Sequence, residues 1–192
     1  MNEFQNITDP EFDSNYPGFI QELSEIHWTP IEIIKKSVKW ISKFPDSKIL
    51  DVGSGVGKFC VYGSLICDSE FTGVEIRKNL VGISNELANK FSLERVKFIH
   101  ANITEIDFSN YNCIYYYNPF CEQEATAIFI DNNLKMGSLE LNKYEKHISN
   151  QLELMKAGTL LITYLSPQFQ PPIDFVAEEI HQDGDVVFWV KK

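Results

Sequence analysis

The chain has 192 residues, 44% of them hydrophobic and 23% charged, and a formal net charge of −10. Such a length and composition fit one globular domain with a sizeable core and exclude a disordered chain. The acid excess argues against bulk attraction to nucleic acid, which needs a basic surface, and leaves room only for a local basic patch.

Residues 1–14 are polar and acidic, without the basic start and apolar centre of a signal peptide. Through residue 27 the mixture of acids, Asn and Pro17-Gly18 predicts an irregular or short-helical lead-in, ahead of a domain over 28–192. A helix is expected over 30–43, with Ile31, Ile34, Val38 and Ile41 on one face. Thr29, Pro30 and Glu32 have the spacing of a capping box, with Thr29 as N-cap and Pro30 at the first helical position.

Strands and helices then alternate. Strands are predicted over 48–52, 70–75, 96–101 and 112–117, and helices over 56–67 and 79–91, the latter burying Leu80, Ile83, Leu87 and Phe91. Residues 104–111 are too few for a full helix between two strands. A long helix over 139–156 carries Leu141, Tyr144, Ile148, Leu152 and Met155 on its apolar face, with Gly158 as its cap and a strand over 159–165 after it. Pro167, Pro171 and Pro172 exclude a long helix in the tail, where 175–182 and 185–191 read as a hairpin around Asp183-Gly184. The class is α/β, a mostly parallel sheet with helices on both faces and an antiparallel hairpin at its end.

No apolar run approaches the roughly 20 residues that cross a bilayer. Cys60, Cys67, Cys113 and Cys121 lack metal-ligand spacing and read as free thiols of a reducing compartment, so a soluble cytoplasmic protein without a metal is expected. Cys60 and Cys67 are expected to be small buried hydrophobes.

The run Lys48-Ile49-Leu50-Asp51-Val52-Gly53-Ser54-Gly55-Val56-Gly57-Lys58-Phe59 is a strand, an acid at its end and a three-glycine turn entering a helix. Parallel sheets use this arrangement to lay a nucleotide-like ligand on bare backbone. Its third glycine comes one residue early for a dinucleotide fingerprint, and Phe59 after Lys58 excludes a phosphate-binding P-loop. D-V-G-S-G-V-G resembles motif I of the class I S-adenosylmethionine (SAM)-dependent methyltransferases. Together with Gly-Val-Glu-Ile at 73–76 it also resembles the strings of the non-SET histone-lysine methyltransferases.

The resemblance covers nearly the whole chain and implies a Rossmann-like class I methyltransferase fold, trimmed where helices are too short to fit. It implies that Asp51 supports the glycine turn and reaches the methionine part of SAM, over a floor of Gly53, Ser54, Gly55 and Gly57. Glu75 stands where an acid accepts from ribose hydroxyls, a role that serves NAD equally, and Ile76 stands near the adenine. Asn102, followed by Ile103, replaces the acid that many relatives use on the adenine amino group, so its amide would have to serve. Thr29 lies in a segment that folds over the cofactor in relatives, and a helix N-terminus there favours the cofactor's carboxylate.

Asn118-Pro119-Phe120 resembles the motif IV loop of amino-group methyltransferases, with one proline instead of two. There Asn118 would meet both the cofactor and the target nitrogen, and Pro119 and Phe120 the substrate. The reaction implied is direct displacement, giving S-adenosylhomocysteine (SAH), with a small molecule or protein as acceptor and a tilt towards nitrogen. Nucleic acid is the less favoured partner because of the charge, and oligomeric state is open. Two other readings stay open: a non-catalytic SAM-binding or scaffold protein, and a nicotinamide-dependent oxidoreductase.

Overall fold

The computed structural model describes residues 3–119, 130 and 138–192. The lead-in folds as a 3-10 turn, Glu3–Asn6, and three short helices, α1 (Asp9–Asp13), α2 (Gly18–Gln21) and α3 (Ser24–His27). After α4 (Ile31–Ile41) come β1 (Lys48–Val52), α5 (Lys58–Ile66), β2 (Glu70–Glu75), α6 (Lys78–Lys90), β3 (Val96–His100) and β4 (Cys113–Tyr117). The chain closes with α7 (Ser138–Leu154), β5 (Leu160–Tyr164), β6 (Phe175–His181) and β7 (Val186–Lys191).

These strands form one seven-stranded sheet in the order β3-β2-β1-β4-β5-β7-β6. The first five run parallel, and β7 is antiparallel to both β5 and β6. Strand order reverses between β1 and β4, so the connections that leave their carboxyl ends part there and open a crevice. Register brings the crevice residues to one level: Val52 lies beside Val74 on one side and Tyr116 on the other. The residues at or just beyond the ends of these strands, Glu75, Gly53 and Asn118, therefore converge.

The apolar strands bury both faces. One core layer joins Ile34, Ile41, Phe59, Tyr62, Phe71 and Tyr115 beneath α4, α5 and α6. The other joins Leu50, Ile114, Tyr116, Ile148, Leu152 and Leu161 beneath α7. Adjacent β4 residues thus serve opposite layers, Tyr115 stacking on Phe59 with centroids 3.7 Å apart and Tyr116 on Phe169 at 4.2 Å. Phe12, Tyr16 and Ile20 bring the lead-in into the first layer. Cys60 and Cys113 are buried, and Cys67 is half-buried; all three are free thiols.

Trimming follows expectation. Two 3-10 turns, Ile103–Glu105 and Phe108–Asn110, replace a helix between β3 and β4, and residues 165–174 contain none. The hairpin turns at Gln182–Gly184, where Gln182, Asp183 and Gly184 all take positive φ.

Two local expectations are corrected. Pro30, not Thr29, is the N-cap of α4 and no side chain of that segment caps it. Asp9 of α1 does so from a distance, its Oδ1 accepting from Ile31 N at 2.9 Å. Gly158, with φ of 87°, shapes the turn into β5, because α7 has already ended at Leu154. No helix among the described residues is long and apolar enough to cross a membrane.

Candidate active site at the carboxyl edge of the sheet

The glycine turn is pinned to β2 by its own backbone. Gly53 N and Ser54 N both donate to Val74 O, at 3.0 and 2.9 Å, and Gly57 N donates to Ser54 O at 2.8 Å. The three glycines have φ of 74°, 54° and 75°, a region that side chains with Cβ rarely enter. Close approach adds a second demand. A Cβ on Gly53 would lie 2.7 Å from Pro119 Cβ, and one on Gly55 would lie 2.6 Å from the Trp28 ring. Gly57 faces the core instead, where a Cβ would meet Phe98 at 2.4 Å, and it leads directly into α5.

Glu75 ends β2 with its side chain buried. Oε2 accepts from Gly55 N at 3.1 Å and Oε1 from Arg77 N at 2.8 Å, with the Arg77 guanidinium 3.6 Å away. Burial raises the Glu75 pKa, against the lowering effect of those N–H groups and of Arg77. Asp51 is also buried, and its carboxyl accepts from the Cys60 thiol at 3.4 Å. Burial pushes its pKa up to about 7; the thiol opposes this and the Glu75 charge adds to it.

Two cavities flank the turn. One, of about 50 Å³, is lined by Gly53, Glu75, Ile76, Asn102, Ile103 and Pro119, with Arg77 and Tyr144. The other, of about 30 Å³, is lined by Thr29, Asp51, Gly53 and Ser54, with Trp28, Lys58, Tyr115 and Tyr117. Gly53 belongs to both, and the Pro119 side chain lies close to it. The Thr29 hydroxyl is 2.9 Å from that of Tyr115, which explains why it does not cap α4. Ser54 Oγ is buried without a hydrogen-bond partner.

Asn102 is tied at both ends of its amide. Oδ1 accepts from Thr104 N at 3.0 Å and Nδ2 donates to Tyr144 Oη at 3.0 Å. The amide oxygen is therefore taken up in a local turn, while the amide nitrogen reaches α7. Asn118 follows β4 with φ of 27°, a strained value for a residue with a side chain, and its N–H donates to Ser166 Oγ at 2.9 Å. Phe120 lies outside the described residues. Among the described residues no group of three His, Cys, Asp or Glu could hold a metal ion.

Trp28, Lys58, Arg77 and Tyr144 join the site without having been singled out from sequence. Lys58 follows the last glycine and Arg77 follows Glu75 by two residues, so proximity to the motifs was the available signal. Trp28 and Tyr144 arrive only through tertiary packing.

Sheet order, switch-point crevice, glycine turn and the acid that ends β2 define the class I SAM-dependent methyltransferases. Residues 43–186 match a family profile described as a methyltransferase domain, and the chain belongs to that family. It is similar to a tRNA (guanine-N(7)-)-methyltransferase of Synechococcus sp., with 32% identity over 133 residues, 68% of this chain and 51% of the relative. The match thus spans about half the length of that relative.

Solved structures with the same fold include an RNA methyltransferase from Salinibacter ruber in complex with SAH, with a TM-score of 0.60 at 17% identity over 85% of this chain and 92% of that one. Another is magnesium protoporphyrin IX methyltransferase from Synechocystis PCC 6803 with bound SAM, with a TM-score of 0.64 at 12% identity over 94% of this chain and 89% of that one.

Proposed function

We propose that this chain transfers the methyl group of SAM to a nitrogen of its acceptor by in-line displacement, with SAH as the second product. The observation that carries the reading is the convergence of Pro119, the residue after Asn118, with Gly53 and Glu75 at the switch point, where Gly53 also lines the cavity that holds Asp51. A cofactor with an adenosine end and a cationic amino-acid end fits the chemistry of the two cavities. Buried Glu75, with Ile76, Asn102 and Ile103, suits ribose and adenine, Asn102 through the second hydrogen of Nδ2 or through its backbone. Asp51, the unpartnered Ser54 hydroxyl, Thr29 and the backbone of Gly53 suit the methionine end. A ligand spanning both cavities would pass over Gly53, which lines each of them.

When bound, the cofactor supplies an activated methyl on sulfur, so the protein's task is alignment and exclusion of water. A nitrogen attacks with its own lone pair, and Asn118 would orient it by accepting from its N–H groups. A hydroxyl acceptor would need a base to take its proton.

A second reading places the acceptor nitrogen in RNA. The tRNA guanine-N7 methyltransferase relative favours it and shifts the earlier lean away from nucleic acid; a ring nitrogen such as N7 bears no proton to remove. Against it stands the net charge of −10, which requires any RNA contact to rest on a local basic surface.

The test is transfer of labelled methyl from SAM to three acceptor pools: primary amines, lysine-containing peptides and unmodified tRNA. Label in any nitrogen supports the proposal, and the pool that takes it up assigns the acceptor. Transfer to oxygen or carbon alone would overturn the nitrogen assignment.

A further inference from the structure

Lys58 is an unusual residue to find buried at the first position of α5. The positive end of the helix dipole opposes a cation there, and an ammonium out of water is costly unless it is fully paired. Its side chain is only 2% exposed. All its partners come from the lead-in: Nζ lies 2.6 Å from Asp9 Oδ1 and 2.8 Å from Asp13 Oδ2, and donates to Ser24 Oγ at 3.3 Å. Three acceptors match the three hydrogens of an ammonium. Ser24 Oγ also donates to Asp13 Oδ2.

The same atom that binds Lys58, Asp9 Oδ1, accepts from Ile31 N at the start of α4. One carboxylate therefore fastens the lead-in to two helices whose N-termini face the glycine turn. Between those fixed points lie Trp28 and Thr29. Trp28 Nε1 donates to Ile20 O at 3.0 Å, which holds its ring against Gly55, and Thr29 meets Tyr115. Tyr16 Oη adds a direct bond to the turn, donating to Val56 O at 3.3 Å.

We propose that Lys58 is a positioning residue of the cofactor site: through Asp9 and Asp13 it docks the lead-in on the glycine turn and so sets Trp28 and Thr29 at the methionine end. The inference rests on the SAM reading above. It makes residues 9–31 part of the binding site, although the family match begins only at residue 43.

The test is calorimetric titration of SAH into the full chain and its Lys58→Met, Lys58→Arg and Asp9→Asn variants, at a temperature where each is folded by circular dichroism. Lys58→Met should weaken SAH by about tenfold or more, because it leaves buried Asp13 and part-exposed Asp9 without their counter-charge. Lys58→Arg should recover most of the loss. Any change in tryptophan emission that SAH causes in the wild-type chain should vanish in Lys58→Met and likewise in Trp28→Phe, a signature that lower stability alone would not produce. Asp9 is partly exposed, so Asp9→Asn folds and gives the answer should Lys58→Met not fold. Folded variants with wild-type affinity and emission change would overturn the inference while leaving the SAM reading intact. Absence of SAH binding to the wild-type chain would overturn both.

Discussion

Glu75 holds Gly55 N and Arg77 N with its two oxygens, so the residue that would receive the ribose also shapes the turn beneath it. Glu75→Ala should weaken SAH by about 10- to 100-fold, the loss of one or two hydrogen bonds to a charged group, as read by titration calorimetry. Gly55→Val should abolish binding, since its Cβ would strike the Trp28 ring at 2.6 Å and its φ is 54°. Asp51 gives a pH signature. Its folded pKa of about 7 lies above its ordinary 3.8, so between pH 4 and 7 the folded state keeps a proton that the unfolded chain has lost. Stability from this group is therefore fully present below about pH 4 and is lost as pH rises to the folded pKa of about 7, by on the order of a few kcal/mol, levelling off above it. Urea melts should show the wild-type chain losing more stability than Asp51→Asn between pH 5 and 8. SAM, bearing a cationic amino group, should bind Asp51 better once it is ionised. Affinity should then rise with pH across 7 in the wild type and stay flat in Asp51→Asn.

At the scale of elements, the parallel strands were legible because each is a short apolar run bounded by turn residues. Glu70–Glu75 lies where the apolar run after Asp68-Ser69 puts it. The cap of α4 was not legible. Thr29-Pro30-Ile31-Glu32 satisfies a local rule, but the Thr29 hydroxyl finds Tyr115, 86 positions away in the chain, and Asp9 takes the exposed N–H. Long-range partners that replace a local cap leave no periodic trace. The same holds for Asn102, whose amide is engaged by Thr104 and by Tyr144 of a distant helix. The lead-in read as polar because its few apolar residues are widely spaced, yet Phe12 is fully buried among Tyr16, Tyr62 and Phe91. Phe12→Ala should cost about 3–5 kcal/mol in denaturant unfolding, as large-to-small changes in a packed core do. A loss below about 1 kcal/mol would show that the lead-in packs only loosely on α5.

For the whole molecule, glycine spacing and strand order carried the class, because both are imposed by laying a ligand across a parallel sheet at its switch point. The acceptor was less legible. Recognition falls to side chains on connections between strands, whose chemistry no general spacing rule constrains. The account as a whole stands on the cofactor, and titration of the purified chain with SAH, run beside NAD, tests it most directly. It predicts one SAH per chain at micromolar strength and no measurable heat from NAD. Binding of NAD without SAH, or of neither, would contradict it.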